Sequence, residues 1–274
     1  MRSVALSHRA VLRIGGVEAE DFLQRIVTAD LSLVDATGVR PCALLSPQGK
    51  ILHEFLVSRT GEGFRLDVSR AFLPDLARRL MFFRLHADVT FEPLPSAAVV
   101  AAWDTAQGLR DERFPIDVRR LYDATPDTAT IGEWTALRLR HGVAELGTDY
   151  GADDLFPHDV GLVANCGVAV RKGCYVGQEV VSRMHHRGTG RRRVALIEGS
   201  DLPPPGTLLT AGGKPLGTMG GSLAGMGLAI VRMDRVTDAI AANAPVEADG
   251  IVVTVHPPAG ADWSLPRATE PLAG

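Results

Sequence analysis

The chain has no long apolar run. Its longest uninterrupted stretch, Ala97 to Trp103, is seven residues, against the roughly 20 that a membrane-spanning helix requires; no membrane span is expected. Cysteine is scarce. Cys42, Cys166 and Cys174 are an odd number separated by 124 and 8 positions, a pattern that makes neither a disulfide framework nor a zinc knuckle, and a reducing, cytoplasmic location is the expectation. Arg2, His8, Arg9 and Arg13 break up the first residues, so no export signal is expected there. Charge of one sign is lacking too: 29 Lys+Arg against 32 Asp+Glu leave −3, which excludes polyanion binding by the surface as a whole. What the chain does have is 274 residues, 46% of them apolar, ample for a large core.

Apolar spacing sets the organisation. Residues 17–27 place Phe22, Leu23, Ile26 and Val27 on one helical face, with Glu18, Glu20 and Asp21 near the positive end of the dipole. Residues 50–58 and 64–68 read as two strands of a hairpin around Thr60-Gly61-Glu62-Gly63. Residues 71–83 carry a helical stripe of Phe72, Leu73, Leu76, Leu80 and Phe83, with Pro74 in its first turn. An extended run over 86–91, a helix over 133–140 and an irregular Gly- and Asp-rich connection over 149–163 follow. Beyond Arg193 short apolar runs alternate with breakers such as Pro203-Pro204-Pro205, Gly212-Gly213 and Gly220-Gly221, the pattern of a small β-barrel. The expectation is an α+β domain over 1–190, a C-terminal β-barrel over 191–256 and a flexible tail over 257–274.

Charge is segregated. Residues 171–193 hold Arg171, Lys172, Arg183, Arg187, Arg191, Arg192 and Arg193 against Glu179 alone, a local +6 that leaves −9 for the rest. Such a patch suits carboxylates or phosphates, or it is a solvated junction between domains. Within it lies Lys172-Gly173-Cys174-Tyr175-Val176-Gly177-Gln178-Glu179, with a helix expected from about Gly177. Most cysteines are small buried apolar groups. Cys174, by contrast, has glycine neighbours that let a partner approach, and a nearby Lys172 and helix N-terminus that favour a thiolate. Cys42 and Cys166 sit among apolar or small residues and read as structural. Tyr175 either stacks on a ligand or packs in the core, and Gln178 and Glu179 either cap the helix or orient a ligand.

Other chemistries fail at named positions. Val57 stands where a zincin starting at His53-Glu54 needs its second histidine, Gly220 to Ala224 lacks the last glycine of a nucleophile elbow, and Gly49-Lys50 lacks the rest of a phosphate loop. His185 and His186 are adjacent helical residues pointing about 100° apart, so no complete metal site within the chain is expected. A cluster shared with a second protein through Cys174 stays open.

The octapeptide resembles the K-G-C-Y-x-G-Q-E signature of the YgfZ family of folate-binding, iron–sulfur cluster assembly proteins, relatives of the glycine-cleavage T-protein, an aminomethyltransferase. Phe22-Leu23-Gln24 with Thr28 and Asp30, the turn Leu45-Ser46-Pro47-Gln48-Gly49-Lys50, Phe156-Pro157-His158-Asp159 and Arg183 to Gly188 are similar to further stretches of that family, in the same order. The resemblance runs over about 5–256. It implies a T-protein-like folate-binding domain followed by a small barrel, tetrahydrofolate or a derivative as cofactor, a transient iron–sulfur cluster, and iron–sulfur client or assembly proteins as partners. It implies Cys174 and Lys172 as the chemical residues, and Tyr175, Gln178, Glu179, Arg187 and Asp159 around the folate.

The chain also departs from the pattern: Asp159 stands for the usual glutamate, Gly161 for asparagine, and Arg140 for a second folate-contacting glutamate. The acid that T-proteins use for aminomethyl transfer has only Asp67 and Asp75 nearby, with Pro74 at about its place. The primary expectation is a folate-binding assembly or repair factor acting through the Cys174 thiol. The alternatives are a tetrahydrofolate-dependent aminomethyltransferase-like enzyme and an accessory protein of tRNA modification, with direct nucleic-acid contact left open.

Overall fold

The computed structural model describes residues 1–265 apart from 127, 189 and 262; the end of the expected tail, 266–274, lies outside the described residues. In chain order, β1 (Arg2–Ala5), β2 (Arg9–Gly15), α1 (Ala19–Gln24) and a 3-10 turn (Leu31–Leu33) lead into β3 (Gly38–Leu45), β4 (Ile51–Thr60) and β5 (Gly63–Ser69). Then come α2 (Leu73–Arg84), β6 (Thr90–Leu94), β7 (Val99–Trp103), β8 (Leu109–Asp111), β9 (Val118–Tyr122), α3 (Ile131–Arg140) and α4 (Gln178–Arg187). The C-terminal part adds β10 (Arg192–Glu198), β11 (Leu208–Ala211), β12 (Lys214–Leu223), β13 (Met226–Arg232), α5 (Met233–Ala241), β14 (Val246–Ala248) and β15 (Ile251–His256). Among the described residues no helix is long and apolar enough to cross a membrane.

The first nine strands form one sheet in the order β1-β7-β9-β8-β3-β4-β5-β2-β6. Its halves join where β3 runs parallel to β8 through Gly38↔Arg110 and Val39↔Asp111. Alternation along β3 divides the core between two faces. Cys42 and Leu44 pack with Phe22, Leu23, Leu76 and Leu80 under α1 and α2, whereas Ala43 and Leu45 pack with Tyr175, Val181 and Leu228 on the other side. The apolar run near Ala97 is explained the same way, since every residue of β7 is buried. On α2 the buried stripe is Leu73, Leu76, Ala77 and Leu80; Phe83, expected to continue it, is exposed.

The last six strands close into a barrel, β10-β13-β12-β11-β14-β15, with β15 pairing back to β10. Gly220-Gly221 is not a divider between strands, as its composition suggested. Both glycines lie inside β12, at a bulge between Met219 and Ser222. The Gly221 N–H donates to Asp149 Oδ1 at 2.8 Å, and a Cβ on Gly220 would come within 3.0 Å of the Asp149 Cβ. The glycines let the barrel approach the first domain closely. After β15 the chain turns back: Trp263 and Leu265 pack on the barrel core, and Pro258 lies where a Cβ on Gly142 would be.

Candidate functional site

The loop ahead of α4 is fixed by close backbone packing. Gly177 caps α4 in the left-handed region, φ 79°, where only glycine is free of steric cost. A Cβ there would lie 2.6 Å from the Ser46 carbonyl, and one on Gly49 would press on the Val180 side chain at 3.1 Å. The Leu45–Lys50 turn and the start of α4 thus need glycine on both sides. Gln178 closes the turn by accepting the Tyr175 N–H on its Oε1 at 3.2 Å. Glu179 is exposed and pairs with Arg183 one turn on, an arrangement worth a few tenths of a kcal/mol.

Lys172 turns inward. Its Nζ donates to the carbonyls of Val27 and Ala29, both at 2.6 Å, and lies 5.1 Å from the centre of the Tyr175 ring. Burial pulls this ammonium down to about 8, opposed by the Cys42 sulfur and the Asp30 carboxylate. The positive charge expected to act on Cys174 is therefore tied to backbone carbonyls beside Cys42. Burial pushes the Tyr175 phenol up to about 12, and its hydroxyl has no hydrogen-bond partner among the described residues; Tyr175 is a packing residue of the second core.

The three cysteines differ sharply. Cys42 is buried, receives the Ala29 N–H at 3.4 Å, and has its thiol pushed up by burial. Cys174 is exposed. Cys166, read from the sequence as structural, is also exposed; it sits at φ 58° on an irregular stretch whose backbone turns it outward.

Cys166 and Asp159 line a cavity of about 480 Å³ together with Arg110, Arg113, His141 and Arg193. The Asp159 side chain accepts the Phe156 N–H at 3.0 Å, its carbonyl accepts the Val194 N–H at 3.0 Å, and burial pushes its carboxyl up. Arg113 is held by Asp111 through two bonds of 3.0 and 2.9 Å, while its Nη1 faces the carboxylates of Glu54 at 3.8 Å and Glu145 at 3.7 Å. Of the residues expected around a folate, Asp159 lines this cavity; Tyr175, Gln178, Glu179 and Arg187 do not. They belong to the thiol loop and to α4, whose last turn carries Arg187. Among the described residues no group of three or more His, Cys, Asp or Glu side chains is placed to hold a metal ion.

Sequence reading missed a buried charge network behind the cavity. Arg9, Arg113, Arg120 and Arg138 interleave with Glu54, Asp67, Asp111, Glu145 and Asp149, all buried. Arg9 Nε donates to Asp67 at 2.6 Å, Arg120 Nε to Asp111 at 3.2 Å, and the Tyr150 hydroxyl to Glu54 at 2.5 Å. Burial would raise Glu145, but His8, Arg138, Arg9 and Arg113 outweigh it and hold the carboxyl well below the usual range. Both acids considered for aminomethyl transfer are committed elsewhere: Asp67 here, and Asp75 to His53, Arg78 and Arg79. For Arg9, Glu54, Asp67, Asp111 and Arg120 the signal in the sequence was a charge at a strand position whose two faces are both covered, and that is not visible before the layers are known; Arg113, Glu145 and Asp149 lie on loops and Arg138 on α3.

The architecture is that of an aminomethyltransferase-like domain followed by a closed six-stranded barrel. The fold matches the crystal structure of glycine cleavage system aminomethyltransferase T from Bartonella henselae at a TM-score of 0.74 and 16% identity, over 96% of this chain and 87% of that one. Residues 191–263 match the family described as CAF17, C-terminal beta-barrel domain. Over most of its length the chain is similar to iron–sulfur cluster assembly factors of the IBA57 type: 26% identical to the mitochondrial homologue of Pyricularia oryzae, over 89% of this chain and 75% of that protein. Against the mitochondrial IBA57 of Homo sapiens the identity is 27%, over 84% and 77%. Two other IBA57 homologues are covered over only 58% and 60% of their own length. These relatives are mitochondrial, which overturns the cytoplasmic expectation. Few cysteines argue against an oxidising compartment but do not choose among reducing ones.

Proposed function

We propose that this chain is a member of the YgfZ/IBA57 group and assists the assembly or repair of iron–sulfur clusters, with Cys174 as its one thiol contact to the cluster or its sulfur. The observation that carries this reading is the pairing of an exposed thiol with a loop held fixed from beneath by Lys172, Gly49, Gly177 and Gln178. A thiol presented on a rigid support is suited to a cluster whose other ligands come from a second protein. The partners are then cluster-bearing assembly or client proteins, and the cluster is cargo.

A reduced folate fits the Asp159 cavity. The volume is in the range for small-molecule sites. Asp159 offers a buried carboxyl at the cavity lining to the N–H groups of a pterin, and Arg110 and Arg193 suit the glutamate tail. When bound, the folate supplies a one-carbon carrier or a structural plug; Asp159 orients the ring and the arginines hold the tail. Aminomethyl transfer is not the favoured reading, because Asp67 and Asp75 do not line this cavity and are paired elsewhere.

Two variants test the two halves separately. Cys174→Ser is expected to abolish support of iron–sulfur enzymes in cells lacking the native protein while folate affinity, measured by calorimetry, stays near wild type. Asp159→Asn is expected to weaken folate binding by roughly tenfold or more. Wild-type support of iron–sulfur enzymes by Cys174→Ser would defeat the thiol reading, and unchanged folate affinity in Asp159→Asn would defeat the cavity assignment.

A further inference from the structure

The basic segment around residue 192 is not one patch. On β10, Arg193 and Val194 line the Asp159 cavity, whereas Arg192 lines a separate cleft of about 570 Å³. That second cleft lies between the loop over 147–151 and the barrel strands β12 and β13. We propose that it is a binding site for a small phosphorylated ligand, held by Arg192, Arg232 and Arg235.

All three arginines line the cleft. Arg192 and Arg232 are direct cross-strand partners of the β10–β13 pair, which brings two guanidinium-bearing side chains together at the cleft. Arg235 joins them from the first turn of α5. The acids nearby leave a surplus of positive charge. Asp154 pairs with Arg192 at 3.0 Å, Asp234 accepts from Nε and Nη2 of Arg232 at 3.2 and 2.6 Å, leaving the Arg232 Nη1 outside that pair, and Asp149 is turned to Arg138 and to the amides of Glu145 and Gly221. Arg235 donates to the Pro215 carbonyl and has no carboxylate partner among the described residues.

The number of guanidinium groups bears on the ligand. One fork satisfies both oxygens of a carboxylate, whereas a phosphate monoester presents three free oxygens and accommodates several forks. Leu216, Met219 and Ile230 line the same cleft, so the body attached to the phosphate is compact and apolar on at least one side. This cleft and the Asp159 cavity share no lining residue, and its ligand is distinct from the folate proposed there.

Phenyl phosphate and benzoate, which share a body and differ in the anionic group, are the probes for calorimetry on the full chain at constant ionic strength. Saturable one-to-one binding of phenyl phosphate is expected, with benzoate at least tenfold weaker. Arg235→Gln and Arg192→Gln should each weaken phenyl phosphate about tenfold, and Asp159→Asn should leave it unchanged. These arginines are partly exposed and their ion pairs contribute little to folding, so both variants should unfold at the wild-type temperature. Absence of saturation, equal affinity for benzoate, or wild-type affinity in Arg235→Gln would overturn the assignment. So would an oligoribonucleotide that loses affinity in Arg235→Gln but is not displaced by phenyl phosphate, because the cleft would then be part of an RNA track.

Discussion

The Thr28 hydroxyl donates to the Gly167 carbonyl at 2.7 Å and accepts the Ala43 N–H at 2.9 Å. One buried side chain thereby ties the end of α1 to β3 and to the segment that leads from the cavity to Cys174. The Thr28 carbonyl adds a third tie, accepting the Ala169 N–H at 2.9 Å. Thr28→Val keeps the shape and removes the hydroxyl, leaving an amide and a carbonyl unpaired. A loss of about 1–3 kcal/mol in urea unfolding is expected, with faster hydrogen exchange over 165–175; equal exchange in both proteins would refute the tie.

Gly177 and Gly173 flank the same cysteine, and the structure separates their roles. Gly177→Ala meets the Ser46 carbonyl at 2.6 Å and a left-handed backbone, so about 1–3 kcal/mol should be lost. Gly173→Ala meets nothing within 4 Å and should fold like wild type. Thermal melts of the two variants side by side decide it.

Lys172 makes stability depend on pH. Its folded pKa of about 8 lies below the ordinary 10.5, so above about pH 8 the unfolded chain binds more protons at this group than the folded one. By linkage, stability rises with pH through this group between about 8 and 10, below the range where the Tyr175 phenol begins to oppose it. Lys172→Met should show a flatter profile over that window, and denaturation at several pH values measures the difference. Identical slopes would mean that the ammonium is not desolvated.

Thiol counting follows from burial. Native protein should react with Ellman's reagent at Cys166 and Cys174, and Cys42 only after unfolding. The double variant Cys166→Ser/Cys174→Ser should therefore be silent until denaturant is added; rapid reaction of that variant would place Cys42 at the surface.

Arg120 has no exposed side-chain surface and faces Asp111 at 3.2 Å and Asp67 at 3.9 Å. Removing one partner of a buried ionic network leaves the other charges uncompensated. Arg120→Met is expected to lose about 3–5 kcal/mol, whereas Arg119→Met next to it, which pairs with the exposed Asp117 and reaches the Gly108 carbonyl at 3.4 Å, should lose less than about 1 kcal/mol. Chemical denaturation of the pair tests the contrast.

The elements with strong local signals were legible. Helices α1 and α2, the β4–β5 hairpin, the helix after Gly177 and the barrel strands over 194–197, 228–232 and 251–255 all carry their own periodicity or breakers. Strands β8 and β14, of three residues each, are too short for an alternation to register, and Gly220-Gly221 misled because glycine marks a close approach as well as a turn. Cys166 misled in the opposite sense: apolar neighbours in sequence do not determine which way an irregular backbone turns its side chain.

The sequence by itself determined the helix and hairpin positions, the barrel-like C-terminal segment and the position of the thiol motif, because each depends on residues only a few positions apart. Tertiary structure decided the rest. Which charges were buried as a network, which arginine of an adjacent pair met which cavity, and which cysteine was left outside depended on how two faces of one sheet were covered, and that covering comes from segments more than a hundred residues away.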